Sequence, residues 1–297
     1  MAKGSLLHLS DRRLAVLFIA PTMVLLLFVV VYPLVRSLYW SFTDYRTSMP
    51  PGVEVQSVGV KNYAEVLSDK GMWERFRTTA AVAILAVSIE MVLGFGIALL
   101  LSREMRARGL IATLMLMPMM LCPAVVGLFW RYILDPNSGV VDAGLVALGV
   151  GKVQWLSHRT PALFAAVMVD VWMWTPFVMI ISLAGLSAIP KYLYEAAEVD
   201  RAGAWFKFRH ITLPLVAPFL IVALLFRTVD AIKLFDMVWV LTQRGEPLTI
   251  SSEIYKLQFE QSDTRMACAT AYVVLVIVIA VSNIFIRYLN KVQLKTK

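Results

Sequence analysis

The chain has few cysteines, few histidines and few charged residues. Only 2 of its 297 residues are cysteine and 3 are histidine. Cys122 and Cys268 both fall in apolar stretches, so the sequence predicts no disulfide framework. His8, His158 and His210 are far apart and lack the short spacing that is typical of metal ligands. The sequence therefore argues against a disulfide-stabilised domain and against a metal or redox centre.

The low charge defines the class of the protein. Charged residues make up 16% of the chain and hydrophobic residues 59%, whereas soluble domains average about 25% charged and about 45–50% apolar residues. A helix that spans a bilayer needs about 20 apolar residues. The sequence therefore predicts an all-α integral membrane protein, a bundle of six spanning helices. The predicted spans are 14–35, 77–101, 110–134, 162–186, 213–241 and 264–288.

The distribution of lysine and arginine predicts the orientation of this bundle. If the N-terminus is cytoplasmic, the inner segments hold an excess of basic residues, whereas the outer segments carry nearly balanced charges. Because cytoplasmic loops are enriched in lysine and arginine, we expect both termini in the cytoplasm. The expected divisions are an N-terminal tail at 1–13, a membrane domain at 14–288 and a C-terminal tail at 289–297. The first apolar run is too long for a cleavable signal peptide. The net charge of +8 reflects topology, and no nucleic-acid partner is expected.

A glycine–lysine pair in the segment 135–161 invites comparison with a phosphate-binding loop. The required upstream glycine is replaced by Val146, and Val153 stands where serine or threonine should follow Lys152. We therefore expect any nucleotide to be hydrolysed by another polypeptide. An intramembrane enzyme is also disfavoured, because the sequence shows no nucleophile–base pair or metal-binding constellation.

A polar stretch at 195–214 lies between two apolar spans. It mixes charged residues with apolar residues at helical spacing, and Pro190 and Pro214 bracket it. This pattern predicts a short amphipathic helix at about 191–209 on one membrane face. From the residues alone, two interpretations stay open: a helix lying in lipid headgroups or a helix docked on a protein partner.

The same stretch resembles the EAA signature of permease subunits in binding-protein-dependent, ATP-driven importers. The matching residues are Glu195, Ala196, Ala197, Asp200, Ala202, Gly203, Ile211, Leu213 and Pro214. The family usually has glycine where this chain has Arg201. The resemblance implies that the helix docks in a groove of a separate ATPase subunit. The residues expected to couple to that subunit are Glu195, Ala196, Ala197, Asp200, Gly203, Trp205 and Phe206.

Two further stretches, at 186–195 and 226–242, resemble the maltose and glycerol-3-phosphate type of sugar permease. This resemblance implies the type I importer permease fold in a bacterial inner membrane, surrounded by lipid. It implies a second homologous permease subunit, two copies of a cytoplasmic ATP-binding subunit that hold ATP and Mg²⁺, and an extracytoplasmic sugar-binding protein. No cofactor is expected in this chain.

Ionisable residues interrupt the fifth predicted span at Arg227, Asp230, Lys233 and Asp236. Each such charge costs roughly 2.5–3.5 kcal/mol at the centre of a span, so these charges must pair or face water. Two interpretations stay open: a self-neutralised ladder packed against other helices, or the lining of a hydrophilic pathway. Glu90 in the second predicted span is expected first as an interhelical hydrogen-bond partner and second as a pathway residue.

The resemblance also implies which residues contact the sugar. The positions that match those of maltose-type permeases are Asp170, Trp174, Phe177, Arg227 and Asp230. Planar hydrogen-bonding groups beside aromatic faces are what carbohydrate recognition needs. This chain has charges where those permeases have mostly neutral groups, so the sugar itself is not implied. The rival interpretation is an ion- or proton-coupled secondary transporter that uses these charges, although such folds usually show internal repeats and none is visible.

Overall fold

The computed structural model describes residues 11–103, 106–243, 245 and 249–296. These residues are almost entirely helical, and their one β-bridge pairs Thr43 with Ser57. Most of the predicted N-terminal tail, residues 1–10, lies outside the described residues. The described ranges therefore agree with the predicted all-α class.

Fourteen α-helices follow one another along the described chain. They are α1 Asp11–Leu26, α2 Tyr32–Ser41, α3 Lys61–Ser68, α4 Lys70–Leu101, α5 Arg108–Leu116, α6 Pro123–Ile133, α7 Val140–Ala147, α8 Arg159–Ser187, α9 Lys191–Val199, α10 Ala204–Lys207, α11 Leu213–Ile232, α12 Asp236–Leu241, α13 Ile250–Tyr255 and α14 Thr264–Thr296. Short π-helical segments at Leu27–Val31, Phe208–Thr212 and Lys256–Glu260 and a 3₁₀ turn at Pro118–Met120 connect some of them.

Within the described ranges, 5 helical runs are long and apolar enough to cross a membrane. They are Phe18–Ser41, Lys70–Leu101, Arg159–Ser187, Ala204–Ile232 and Thr264–Val292. Each overlaps one of the predicted spans, and α4 begins seven residues before its predicted start at 77. The remaining predicted span, 110–134, is wrong as one continuous helix, because the structure divides it into α5, a 3₁₀ turn and α6. Pro118 and Pro123 interrupt it, since proline lacks the amide hydrogen that a helix interior needs.

The fifth predicted span, 213–241, also differs from the structure. The helix α11 ends at Ile232, and a short helix α12 follows at Asp236–Leu241. No proline or glycine marks this break. The short helix α12 packs against α6, where a Cβ added to Gly127 would lie 2.5 Å from the carbonyl oxygen of Met237. Tertiary packing therefore outweighs the apolar pattern that favoured one long helix.

The chain divides into two compact units. The first comprises the described residues up to Ser68 together with Leu257–Val273. Buried Asn62 holds this unit together, because its amide nitrogen donates to the carbonyl oxygens of Ser41 at 2.9 Å and Thr43 at 2.8 Å. Arg265 donates to the amide oxygen of Asn62 at 2.9 Å. One buried amide thus links the end of α2, the helix α3 and the start of α14.

The second unit comprises Asp69–Lys256 and the residues from Val274 onward. Its centre is the contact between α4 and α8, where the two backbones approach closely. A Cβ added to Gly94 would lie 2.6 Å from the Cβ of Val178 and 2.9 Å from the carbonyl oxygen of Thr175. The expectation that small residues beside Glu90 allow close helix approach is therefore confirmed for Gly94. Gly96 has no neighbouring atom within 4 Å of such a Cβ.

This contrast gives a matched test of helix packing. We expect Gly94→Ala to lower the melting temperature of the purified protein, because overpacking a tight contact costs about 1–3 kcal/mol. Gly96→Ala should leave the melting temperature unchanged or raise it slightly, since alanine favours helix by up to about 1 kcal/mol over glycine. Thermal unfolding in detergent measures both. Equal effects of the two variants would contradict the close packing of α4 and α8.

Candidate functional site

The predicted amphipathic helix at 191–209 is two helices joined by a turn. The first is α9, which starts after Pro190 and ends at Val199. The second, α10, begins at Ala204 and runs through a π-helical segment into α11. Pro214 lies in the first turn of α11 and does not interrupt this run, because the first turn of an α-helix tolerates proline. We refer to residues 191–212 as the EAA segment.

The turn between these helices has a defined hydrogen-bond pattern. The amide of Ala202 donates to the carbonyl oxygen of Ala197 at 2.8 Å, and the amide of Arg201 donates to Glu198 at 3.0 Å. This pair of bonds is the Schellman motif, which requires a left-handed residue just after the helix. Arg201 is that residue, with φ +54°. At position 201, where the resembled family usually has glycine, the left-handed backbone conformation also favours glycine.

Two contacts tie the start and the end of the EAA segment together. Lys207 forms an ion pair with Glu198 at 3.0 Å. The hydroxyl groups of Tyr194 and Thr212 lie 2.8 Å apart. Between the two helices lies a cavity of about 530 Å³. Its lining residues are Leu193, Ala196, Ala197, Asp200, Ala202, Gly203, Phe206 and Ile211. The alanine and glycine residues of the EAA segment therefore leave a cavity between α9 and α10.

The EAA segment exposes large apolar side chains. Trp205 is 70% exposed and Phe206 is 52% exposed. Their rings are held in place, because Trp205 stacks on Phe208 at 5.6 Å and Phe206 stacks on His210 at 4.3 Å between centroids. Glu195, Ala196, Asp200 and Gly203 of the predicted coupling set are also exposed, whereas Ala197 is buried. Ordered and exposed aromatic rings are a typical feature of protein interfaces.

A second cluster lies inside the membrane domain, where three helices bring three charges together. Arg227 of α11 donates to Glu90 of α4 at 2.6 and 2.9 Å and to Asp170 of α8 at 2.9 Å. The exposed fractions of these side chains are 1%, 0% and 1%. The guanidinium group is therefore shared by two carboxylates, a strong and planar arrangement. The expectation that Glu90 is an interhelical hydrogen-bond partner is confirmed.

Aromatic rings extend from this buried charge cluster towards exposed Phe226. The guanidinium carbon of Arg227 lies 4.8 Å from the ring centre of Trp174. Trp174 meets Phe177 edge-on at 6.3 Å, and Phe177 meets Phe226 at 6.5 Å. Trp174 and Phe177 are half-buried, whereas Phe226 is exposed. The three rings form an aromatic face, defined as Trp174, Phe177 and Phe226.

The predicted sugar-contacting residues thus fall into separate environments. Asp170 and Arg227 are buried and paired, whereas Asp230 has 47% of its side chain exposed and lies 3.5 Å from Lys233. Asp236 belongs to another helix, so the expectation that all four charges lie on one continuous span is wrong. Sequence reasoning did not include Phe226 in the site, nor did it connect Glu90 with Arg227, because 137 residues separate that pair. The presence of Glu90, an acidic residue within the second apolar stretch, was the feature of the sequence that could have indicated a buried cationic partner.

The segment that resembles a phosphate loop has a different local structure. Asp142 accepts hydrogen bonds from the amide of Val153 at 3.1 Å and from the indole of Trp155 at 3.3 Å. A carboxylate therefore occupies the place where a phosphate would have to bind. Nearby, the amides of Ser138 and Asn137 donate to Asp135 and hold the pKa of its carboxyl below the usual value. These contacts organise the turns of this segment.

Comparison with known proteins gives consistent matches over most of the chain. The model of a family described as "Binding-protein-dependent transport system inner membrane component" matches residues 90–295. A probable ABC transporter permease protein of Sinorhizobium fredii is 38% identical over 268 residues, which cover 89% of this chain and 86% of that protein. A trehalose/maltose transport system permease protein of Thermococcus litoralis is 34% identical, with 95% and 96% covered.

A solved structure shares the fold. It is a bacterial alginate ABC transporter in complex with an alginate pentasaccharide-bound periplasmic protein. One of its chains superimposes with a TM-score of 0.77 over 92% of each chain at 19% sequence identity. The region matched by the family model includes both the EAA segment and the buried charge cluster.

Proposed function

Because the chain belongs to the family of binding-protein-dependent transport system inner membrane components, we propose that it is one permease subunit of an ATP-driven carbohydrate importer. It is a multi-pass inner membrane protein of an ABC transporter and not itself an enzyme. The observation that carries the proposal is the EAA segment, in which the rings of Trp205 and Phe206 are exposed and, among the described residues, stack on residues of the same segment. A carbohydrate substrate is supported by the trehalose/maltose relative and by the aromatic face beside hydrogen-bonding groups.

The complete importer contains further polypeptides in this proposal. A second homologous permease completes the pathway, two ATP-binding subunits hold ATP and Mg²⁺, and an extracytoplasmic binding protein delivers the sugar. The interrupted pair α5 and α6 serves as the third of six crossings, and both termini lie in the cytoplasm. This topology puts the EAA segment on the cytoplasmic side, where ATP is available.

The EAA segment transmits the movement of the ATP-binding subunits to the membrane domain. Trp205 and Phe206 insert into a groove of the ATP-binding subunit, and Glu195 lies on the polar side of the contact. Because α10 continues without a break into α11, a shift of the docked segment moves α11 as well. The helix α11 carries Arg227, so the movement reaches the buried charge cluster through one rigid element.

The residues predicted to contact the sugar have two roles in this proposal. Trp174, Phe177 and Asp230 are accessible and contact the sugar directly. Asp170 and Arg227 are buried, so they act as positioning residues that hold α8 and α11 together and support the ring of Trp174. Asp230 lies one helical turn from Phe226 on α11. An accessible carboxylate near an aromatic face suits a sugar, because the carboxylate accepts hydrogen bonds from hydroxyl groups while the rings cover the apolar face of the sugar.

The secondary transporter is the weaker alternative. The sequence feature that most favoured a secondary transporter was the set of charged residues within the predicted spans. The buried ones satisfy one another, since Arg227 pairs with both Glu90 and Asp170. Buried charges that are mutually paired are expected in a packed helix bundle and require no ion pathway.

Purification of the tagged chain from native membranes tests the proposed function. We expect an ATP-binding subunit with a phosphate-loop sequence and a second permease to co-purify, as identified by mass spectrometry. Proteoliposomes of that complex should take up sugar only with ATP and the binding protein. Recovery of the chain alone, active on a proton gradient without ATP, would favour the secondary transporter.

Asp230→Asn tests the proposed contact with sugar. Because the amide keeps the shape but accepts hydrogen bonds less well, we expect a loss of about 1.5–3 kcal/mol of binding, or roughly tenfold or more in half-saturating sugar concentration. Complex assembly should be unchanged, since the side chain is exposed. Asp236→Asn is the matched control, because Asp236 is also exposed but lies in α12. Unchanged uptake by Asp230→Asn would remove this residue from the site.

A further inference from the structure

Arg201 has a backbone conformation that suits another residue type. Its φ of +54° lies in the left-handed region, where a side chain crowds the backbone and glycine does not. The hydrogen bonds of Ala202 and Arg201 to the end of α9 fix this turn. Such strain persists where the surrounding structure imposes it, and it is often found where a side chain contacts a ligand.

Within the part of the chain that the structure describes, no ion pair of the Arg201 side chain offsets this strain. The side chain is exposed. The nearby acid Glu198 is already paired with Lys207 at 3.0 Å. The guanidinium group is therefore exposed and has no ion pair among the described residues, while its sequence neighbours Asp200 and Ala202 line the cavity of about 530 Å³.

The surrounding charges indicate what could bind this guanidinium group. The EAA segment, residues 191–212, holds four basic and three acidic residues, namely Lys191, Arg201, Lys207, Arg209, Glu195, Glu198 and Asp200. These opposite charges are interleaved and nearly cancel, so the segment is not the polybasic cluster that anionic lipid headgroups bind. A protein surface with mixed charges fits better, because it places single opposite charges against single residues.

We propose that Arg201 selects the ATP-binding subunit by forming an ion pair with a carboxylate at the rim of its docking groove. This inference rests on the proposed docking of the EAA segment. A planar guanidinium group suits a carboxylate through two parallel hydrogen bonds. The left-handed conformation of the turn between α9 and α10 then has a function, because it holds the guanidinium group of Arg201 at the edge of the proposed interface with the ATP-binding subunit.

Substitution of Arg201 distinguishes the backbone strain from the proposed ion pair. Relief of the strain should raise the stability of the chain, whereas loss of the ion pair should weaken its binding to the ATP-binding subunit. Arg201→Gly relieves the backbone and removes the charge. We expect this variant to have an equal or higher melting temperature than the natural chain in detergent. We also expect it to bind the purified ATP-binding subunit about fivefold more weakly at low salt. Arg201→Glu should bind still more weakly, and the difference should shrink at high salt.

The controls distinguish a failure of this inference from a failure of the docking proposal. A variant with Trp205→Ala and Phe206→Ala should lose binding to the same subunit. If it does and Arg201→Gly binds as the natural chain does, the ion pair is refuted while docking stands. If the aromatic variant binds normally, the docking proposal itself fails. Capture of lipid alone by a photo-crosslinking amino acid at position 201 in native membranes, with unchanged ATP-binding subunit affinity of Arg201→Gly, would assign Arg201 to the lipid surface and overturn the inference.

Discussion

Replacement of Arg227 by alanine is expected to prevent folding and assembly of the permease. The substitution would leave the carboxylates of Glu90 and Asp170 buried and without a cation, and neither side chain has more than 1% of its surface exposed. Removal of one partner from a buried ion pair costs about 3–5 kcal/mol, which is a large part of the stability of a typical domain. We expect aggregated or degraded protein, and size-exclusion chromatography in detergent measures it.

Neutralisation of the two carboxylates should reverse this effect. A variant that combines Arg227→Met with Glu90→Met and Asp170→Leu has no buried charge and adds no buried polar group, and replacement of a buried ionic cluster by hydrophobic residues of similar volume is often neutral or stabilising. We expect this triple variant to assemble. Recovery of assembly without recovery of uptake would separate the structural role of the cluster from its role in transport.

The opposite result is equally informative. If Arg227 bound the sugar directly, as the resemblance implied, Arg227→Ala would assemble normally and fail only in uptake. A monodisperse complex with normal melting temperature and no transport would therefore refute the structural role of Arg227. It would place the guanidinium group in the sugar site instead.

Removal of the two exposed rings of the EAA segment is expected to abolish coupling to ATP. Trp205 and Phe206 are the largest apolar side chains that the segment exposes near the turn. Central aromatic anchors of an interface contribute about 2 kcal/mol or more each, which corresponds to roughly 30-fold in affinity. We expect the variant with Trp205→Ala and Phe206→Ala to insert normally but to lose the ATP-binding subunit during purification.

A matched control separates docking from general loss of apolar surface. Ile84 is 66% exposed and lies in the apolar span Lys70–Leu101, so Ile84→Ala removes exposed apolar surface away from the EAA segment. This variant should keep the ATP-binding subunit. Equal retention of the subunit by both variants, measured by quantitative mass spectrometry, would contradict the docking role of the two rings.

The class of the protein and most of its spans could be predicted because apolar run length depends on local composition. The break in the third span was also within reach, since Pro118 and Pro123 are visible in the sequence. The end of α11 at Ile232 was not, because no local residue marks it and the packing of α12 on Gly127 stabilises it. A contact between distant segments leaves no periodic pattern in one sequence.

In the candidate site, too, local features could be predicted from the sequence and contacts between distant segments could not. The EAA motif predicted the residues of the proposed interface, but a single helix was predicted because Asp200 and Arg201 do not interrupt the apolar pattern. The left-handed conformation of Arg201 depends on the two hydrogen bonds that end α9. The sharing of Arg227 between Glu90 and Asp170 depends on three helices that meet only in the folded chain.

A photo-crosslinking amino acid placed at position 206 tests the central claim most directly. After irradiation of native membranes, the crosslinked polypeptide is identified by mass spectrometry, with position 84 as the control. We predict that position 206 captures a polypeptide with a phosphate-loop sequence, and that addition of ATP changes the yield, whereas position 84 does not capture it. Capture of lipid alone at position 206, or of the same polypeptides at both positions, would contradict the assignment of this chain as a permease driven through its EAA segment.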